Sequence, residues 1–243
     1  MIGFFATKKN ISIIFFIILL IDIIIKSYHE TSLYRIITKS LLILVLIAYC
    51  IAKSNEHKKR HILHLVVALT FFLAGDIFML FYKNATLYLI AISCFICGKI
   101  FYILRFITNQ NFDIRRMSAY LVLIFLYVLA IFFLIFENLN DLNVCLVILY
   151  MFVAVKALMF ALARKGAVVK SSYSLVLYGV FFSILSDSIT SLGSFYNDKI
   201  PYDHIAIMLF YGFSQYFIVM GLIEDKNNCF FRYRCKQFGQ VRD

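Results

Sequence analysis

The sequence predicts an all-α, polytopic membrane protein of eight transmembrane helices with both termini cytoplasmic. Three observations predict it. Of the 243 residues, 63% are hydrophobic and only 15% charged, more apolar surface than a water-soluble domain can hide. The apolar residues fall into runs of about 20, the length that crosses a bilayer as helix. Lys and Arg alternate between rich and poor loops, the pattern that orients membrane proteins.

Taken in order, the runs cover 11–27, 33–52, 62–82, 86–107, 117–137, 143–163, 173–193 and 204–223. The first follows Lys8 and Lys9 as a signal peptide would, but no small-residue cleavage site comes after it, so it reads as a retained span. The breaks are "KSNEHKKRH", "NQNFDIRR", "ENLND", "RKGAVVKSS" and "FYNDKIPYD", with tight turns near Ser27–Ser32 and Lys83–Thr86. No break can hold a soluble domain. The expected organisation is one membrane domain over 1–225 and a basic cytoplasmic tail over 226–243. Of the 24 Lys and Arg, only Lys26, Arg35, Lys83 and Lys199 fall in the opposite loops, and Lys39, Lys99 and Lys156 lie within spans. The rest sit on the side assigned to the cytoplasm. The net charge of +11 is therefore the signature of cytoplasmic loops rather than of a nucleic-acid partner.

Chemistry must then come from polar residues inside the spans. Asp76 in "FFLAGDIFMLFY" and Asp187 in "FFSILSDSITSL" share the pattern Phe-x-aliphatic-x-small-Asp. At about 1.5 Å per residue both lie roughly 21 Å from the cytoplasmic face. Lys39 enters from the other side and reaches the same level in a core of about 30 Å, and Asp22 and Tyr211 fall close to it. Intramembrane ionisable groups pair with one another and mark function, though a purely structural ion pair is the competing reading. Asp22 reads equally as a partner of Lys39. Gln215, one turn from Tyr211, and Ser186, next to Asp187, are candidate hydrogen-bond partners or interhelical ties.

The remaining polar residues read more plainly. Lys99 and Lys156 lie in cytoplasmic halves and are expected to snorkel to the headgroups. His57, His61 and His64 have metal-compatible spacing but overlap a basic loop, and Cys94-x-x-Cys97 lies in an apolar helix without a second ligand pair. No metal and no cofactor is expected. Cysteine in such a helix reads as a small hydrophobe, Cys229 and Cys235 lie among the basic residues of the tail, and most of the 27 Phe and 16 Tyr read as lipid-facing and interfacial.

Five segments in register resemble the YhhN or lysoplasmalogenase-like membrane proteins. They are "TKSLL" (38–42), "FFLAGDIFML", "KIFYI" (99–103, carrying Tyr102), "GVFFSILSDS" (179–188) and "YGFSQYFI" (211–218). Ser40 stands where that pattern usually has proline, and Lys99 where it usually has histidine. The resemblance implies an intramembrane hydrolase that takes a lysophospholipid-type substrate from the bilayer. It would cleave the vinyl ether of a lysoplasmalogen to a fatty aldehyde and a glycerophospho-base. The two aspartates would act as acid and base, with Lys39, Tyr102, Ser186, Tyr211 and Gln215 in support. It also implies a bacterial cell (inner) membrane, with membrane lipids as the surroundings. A small transporter or binding protein using the same Asp/Lys layer is the reading from another class.

Overall fold

The computed structural model describes residues 7–28, 33–107, 114–137, 141–196 and 202–226. The tail with Cys229 and Cys235, Lys199, and most of the breaks "NQNFDIRR" and "ENLND" lie outside the described residues. Within them the chain forms eight α-helices and no strand. These are α1 (Lys8–Tyr28), α2 (Leu33–Ala52), α3 (Lys59–Met79), α4 (Ala85–Phe106), α5 (Ile114–Phe136), α6 (Asp141–Ala163), α7 (Lys170–Phe195) and α8 (Asp203–Ile223). Short 3-10 turns at Ser54–Glu56 and Glu224–Lys226 follow α2 and α8.

Seven helices, α2 to α8, are long and apolar enough among the described residues to cross a membrane. The protein is a multi-pass integral membrane protein. The first helix has the length, but Lys8, Lys9, Asp22 and Lys26 dilute its apolar run. Its span therefore stays an expectation. The third span was expected to reach residue 82, yet α3 stops at Met79. The chain must turn before Asn84, whose side chain caps α4 by accepting from the amides of Thr86 (3.0 Å) and Leu87 (3.3 Å).

Large apolar side chains cover the outside, as lipid contact allows: Leu123, Phe125, Leu126 and Phe133 of α5 are all exposed. With lipid tails as apolar as leucine, close packing rather than water exclusion holds such helices together. The tightest pairs are α3 with α4 and α7 with α8. In the first pair, a Cβ on Gly75 would come within 2.8 Å of the Phe95 ring, and one on Gly98 within 2.8 Å of the Phe72 ring. In the second, a Cβ on Gly179 would lie 2.9 Å from the backbone nitrogen of Ile218. Glycine beside Asp76 thus admits a ring from the neighbouring helix.

The aromatic residues are not all lipid-facing. Phe182, Phe213 and Phe217 stack between α7 and α8, and Phe15 and Phe16 of α1 pack on Tyr216. These rings join helices by edge and face contacts.

Candidate functional site

Asp76 is buried near the end of α3, its side chain 1% exposed. Lys39 of α2 stands with Nζ 2.9 Å from Oδ1. The two form a buried ion pair between α2 and α3. Tyr211 of α8 donates its hydroxyl to Oδ2 at 2.6 Å, and the same lysine lies 5.7 Å from the centre of the tyrosine ring. Three helices meet in one Asp–Lys–Tyr cluster.

Asp187 of α7 has a cluster of the same composition. Lys99 of α4 donates to Oδ2 at 2.8 Å and to the Ser183 hydroxyl at 2.6 Å. Tyr150 of α6 donates to Oδ1 at 2.7 Å, and Lys99 lies 5.0 Å from the centre of its ring. Lys99 was expected to snorkel; instead it is 5% exposed and paired inward. The carboxylate across the bundle attracts it more strongly than headgroups a long stem away. Here the aspartate is the open member, its side chain 27% exposed against 6% for the lysine.

The two clusters are related along the chain. Lys39 and Tyr150 stand as many positions apart as Asp76 and Asp187, and Lys99 and Tyr211 stand one position further apart. In matching places, lysine and tyrosine have exchanged. Each aspartate takes one partner from the helix before it and one from the last helix of the other half.

Lys39, Asp76 and Tyr211 of the first cluster and Tyr150, Ser183 and Asp187 of the second line one cavity of about 900 Å³. It runs from Phe72 and Gln215 in the middle of the bundle to the helix ends at Lys26, Arg35, Lys83 and His204. Val128, Ile131 and Ile135 of α5 and Val147 and Met151 of α6 form an apolar wall, while Asp76, Asp187, Lys39, Tyr150 and Tyr211 are polar. Polar groups converging opposite an apolar wall are a usual make-up of a ligand site.

The other expected residues have different roles. Tyr102 is buried and donates to Gln215 Oε1 at 2.6 Å, so Gln215 pairs with α4 rather than with Tyr211 on its own helix. Ser186 lines the cavity but donates to the Ile207 carbonyl at 3.1 Å, tying α7 to α8. Asp22 does not pair with Lys39; it accepts from Thr38 at 2.6 Å. Thr38 precedes Lys39 on α2 and turns toward α1, while the lysine turns to α3. Lys156 is half-buried with its ammonium 5.2 Å from the Phe152 ring centre.

No metal-binding group of histidine, cysteine, aspartate and glutamate occurs among the described residues, those of His57, His61 and His64 included. Burial, with Arg105 nearby, holds the loop residue His57 below the usual histidine range, so it is neutral at pH 7. Tyr150 and Ser183 escaped sequence reasoning, which read most of the tyrosines as lipid-facing and interfacial and took Ser186 as the serine beside Asp187. The constant offset between the two halves was the signal that singles out Tyr150.

The model of the YhhN family matches residues 34–222, most of the chain. The chain belongs to the YhhN family. Comparisons with curated proteins and with solved structures returned no match. In this YhhN-family protein the matched region includes both aspartates and both lysine–tyrosine pairs.

Proposed function

We propose that the protein is a lysoplasmalogenase-like intramembrane hydrolase that cleaves the vinyl ether of a lysoplasmalogen to a fatty aldehyde and a glycerophospho-base. The observation that carries the reading is that Asp76 and Asp187, from separate helices, line the same cavity. Family membership points the same way. In this reading eight spans place both termini on the cytoplasmic side of a bacterial cell membrane.

A vinyl ether is broken by protonating its β-carbon, after which water captures the oxocarbenium ion and the hemiacetal collapses. Asp187, the more open aspartate, is the group that meets the substrate. The Lys99 ammonium, 2.8 Å from Oδ2, supplies the proton. With an apolar chain in the cavity, that proton passes along the hydrogen bond to the carboxylate. The carboxyl gives its proton to the β-carbon and becomes an anion beside the new cation. Water then adds to the cationic carbon, and its proton returns through Asp187 to Lys99. The hemiacetal hydroxyl proton ends on the leaving glyceryl oxygen, which closes the balance as vinyl ether plus water to aldehyde plus alcohol. Asp76, flanked by Lys39 and Tyr211, serves as the second carboxylate that stabilises the cation, the division of labour used by paired carboxylates at oxocarbenium sites. A transport role would favour helices broken at the site; α3 and α7 run unbroken through both aspartates.

The test is hydrolysis of a lysoplasmalogen by purified protein in heavy water. Protonation at carbon places one deuterium on the carbon next to the aldehyde carbonyl. Aldehyde without that deuterium removes the carbon-protonation step, and no aldehyde at all removes the reaction.

A further inference from the structure

A second, much smaller cavity adjoins the first. Its volume is about 10 Å³, the least that holds one water. Its walls come from α3, α4, α6, α7 and α8, and every lining residue but Ser183 is buried. Phe72, Ala154, Ser183, Ile184 and Gln215 line both cavities, so a single layer of side chains divides them. The ion pair of the second cluster straddles that layer. Asp187 lines only the large cavity and Lys99 only the small one, although the two are 2.8 Å apart.

Three polar groups meet in the small cavity. Lys99 gives one N–H to Asp187 and one to Ser183, and an ammonium has a third. Gln215 accepts the Tyr102 hydroxyl on Oε1, which leaves its amide N–H groups. Ser214 is 1% exposed, and its Oγ has no hydrogen-bond partner among the described residues. A buried hydroxyl without a partner is costly, and a water with two to four polar neighbours is the usual remedy. Hydrolysis, in turn, needs one water beside a hollow that the lipid chain fills. We propose that the small cavity holds the water that captures the oxocarbenium ion, with Ser214 as its positioning residue. The inference rests on Asp187 cleaving a vinyl ether as set out above. The water passes the polar members of the dividing layer, Ser183 and Gln215, and its oxygen bonds to the cationic carbon. The proton it releases goes to Asp187 and on to Lys99, which restores the starting state without a further reactant.

Two measurements test it. The first needs no turnover: a high-resolution structure of the full native chain with an alkyl-ether lysophosphatidylethanolamine, which has no vinyl ether to hydrolyse. An ordered water within hydrogen-bond reach of Ser214 Oγ and Lys99 Nζ is expected. A dry cavity, or one filled by the lipid chain, overturns the site. The second is lysoplasmalogen hydrolysis in heavy water by the native chain, Ser214→Val and Ser214→Thr. The two variants add the same bulk, and only threonine keeps the hydroxyl. When capture slows, the cation returns a proton to Asp187, and unreacted vinyl ether gains deuterium on its β-carbon. The ratio of that exchange to aldehyde release is expected to rise about tenfold in Ser214→Val and to stay closer to native in Ser214→Thr. A packing role would lower exchange and release together; an unchanged ratio in Ser214→Val overturns the positioning role. A rise of equal size in both variants would assign the effect to bulk and overturn the role of the hydroxyl. Neither aldehyde nor exchange from the native chain, with the water in place, would overturn the reaction and the capture step while leaving the bound water standing.

Discussion

Lys99 and Asp187 show what one side chain decides in a low-dielectric hollow. The lysine is donor-only and buried, and its hydrogen bonds to Asp187 and Ser183 set both its position and the site's proton inventory. Replacing it by glutamine keeps a donor but removes the transferable proton. Lys99→Gln is therefore expected to lower kcat by about 10²-fold or more with a small change in KM, measured as aldehyde release. Tyr150→Phe removes one hydrogen bond from a carboxylate that keeps its lysine; a loss nearer tenfold is expected. The order of these two losses is the check, since a tie that only joins helices would show them in thermal stability and not in kcat.

At the scale of the helix, two contacts set the geometry. Gly179 allows α7 to approach the backbone of α8 so closely that a Cβ would meet Ile218 Cγ1 at 2.6 Å and the Ser214 carbonyl at 3.0 Å. Ser214 precedes Gln215 and lies one turn from Tyr211, so forcing the helices apart here also moves the Asp76 cluster. At the basic-loop end, Arg105 of α4 (3.1 Å) and Arg164 after α6 (3.5 Å) share the buried carboxylate of Asp225. Ser172 of α7 accepts from Arg164 and donates to the Gly221 carbonyl. Four helices are tied there without any residue of the cavity taking part. Asp225→Ala removes the shared anion from two buried guanidiniums, and a loss of roughly 3–5 kcal/mol is expected in detergent unfolding. A shift near zero would make this cluster a bystander.

For the whole molecule, the fold was legible because a bilayer demands long apolar helices and charge-biased loops, and both demands are written along the chain. The match between Lys39 and Asp76 was legible for the same reason, since counting residues put them at one level and they pair. Azimuth was not. Counting could not tell that Lys39 turns to Asp76 while Thr38 turns to Asp22, or that Lys99 faces Asp187 instead of the headgroups. Those directions are set by neighbouring helices, which a single sequence does not place. Arg105, Arg164 and Asp225 were missed because the loops assigned to the cytoplasm were read as solvated, whereas the chain folds this end inward. The matched offsets of Lys39/Tyr150 and Asp76/Asp187 relate the two halves of the bundle, and only the finished pairing shows why: each half supplies a partner to the other's aspartate.

The central claim is that two aspartates on one cavity carry out vinyl ether hydrolysis, with Asp187 acting on the reacting atoms. The direct measurement is the rate of aldehyde release from a lysoplasmalogen by native protein, Asp187→Asn and Asp76→Asn, each shown to elute and melt as the native chain does. The account predicts turnover by the native protein, a loss of about 10²–10⁴-fold in Asp187→Asn, and a smaller but clear loss in Asp76→Asn. Native-like turnover in Asp187→Asn would contradict it.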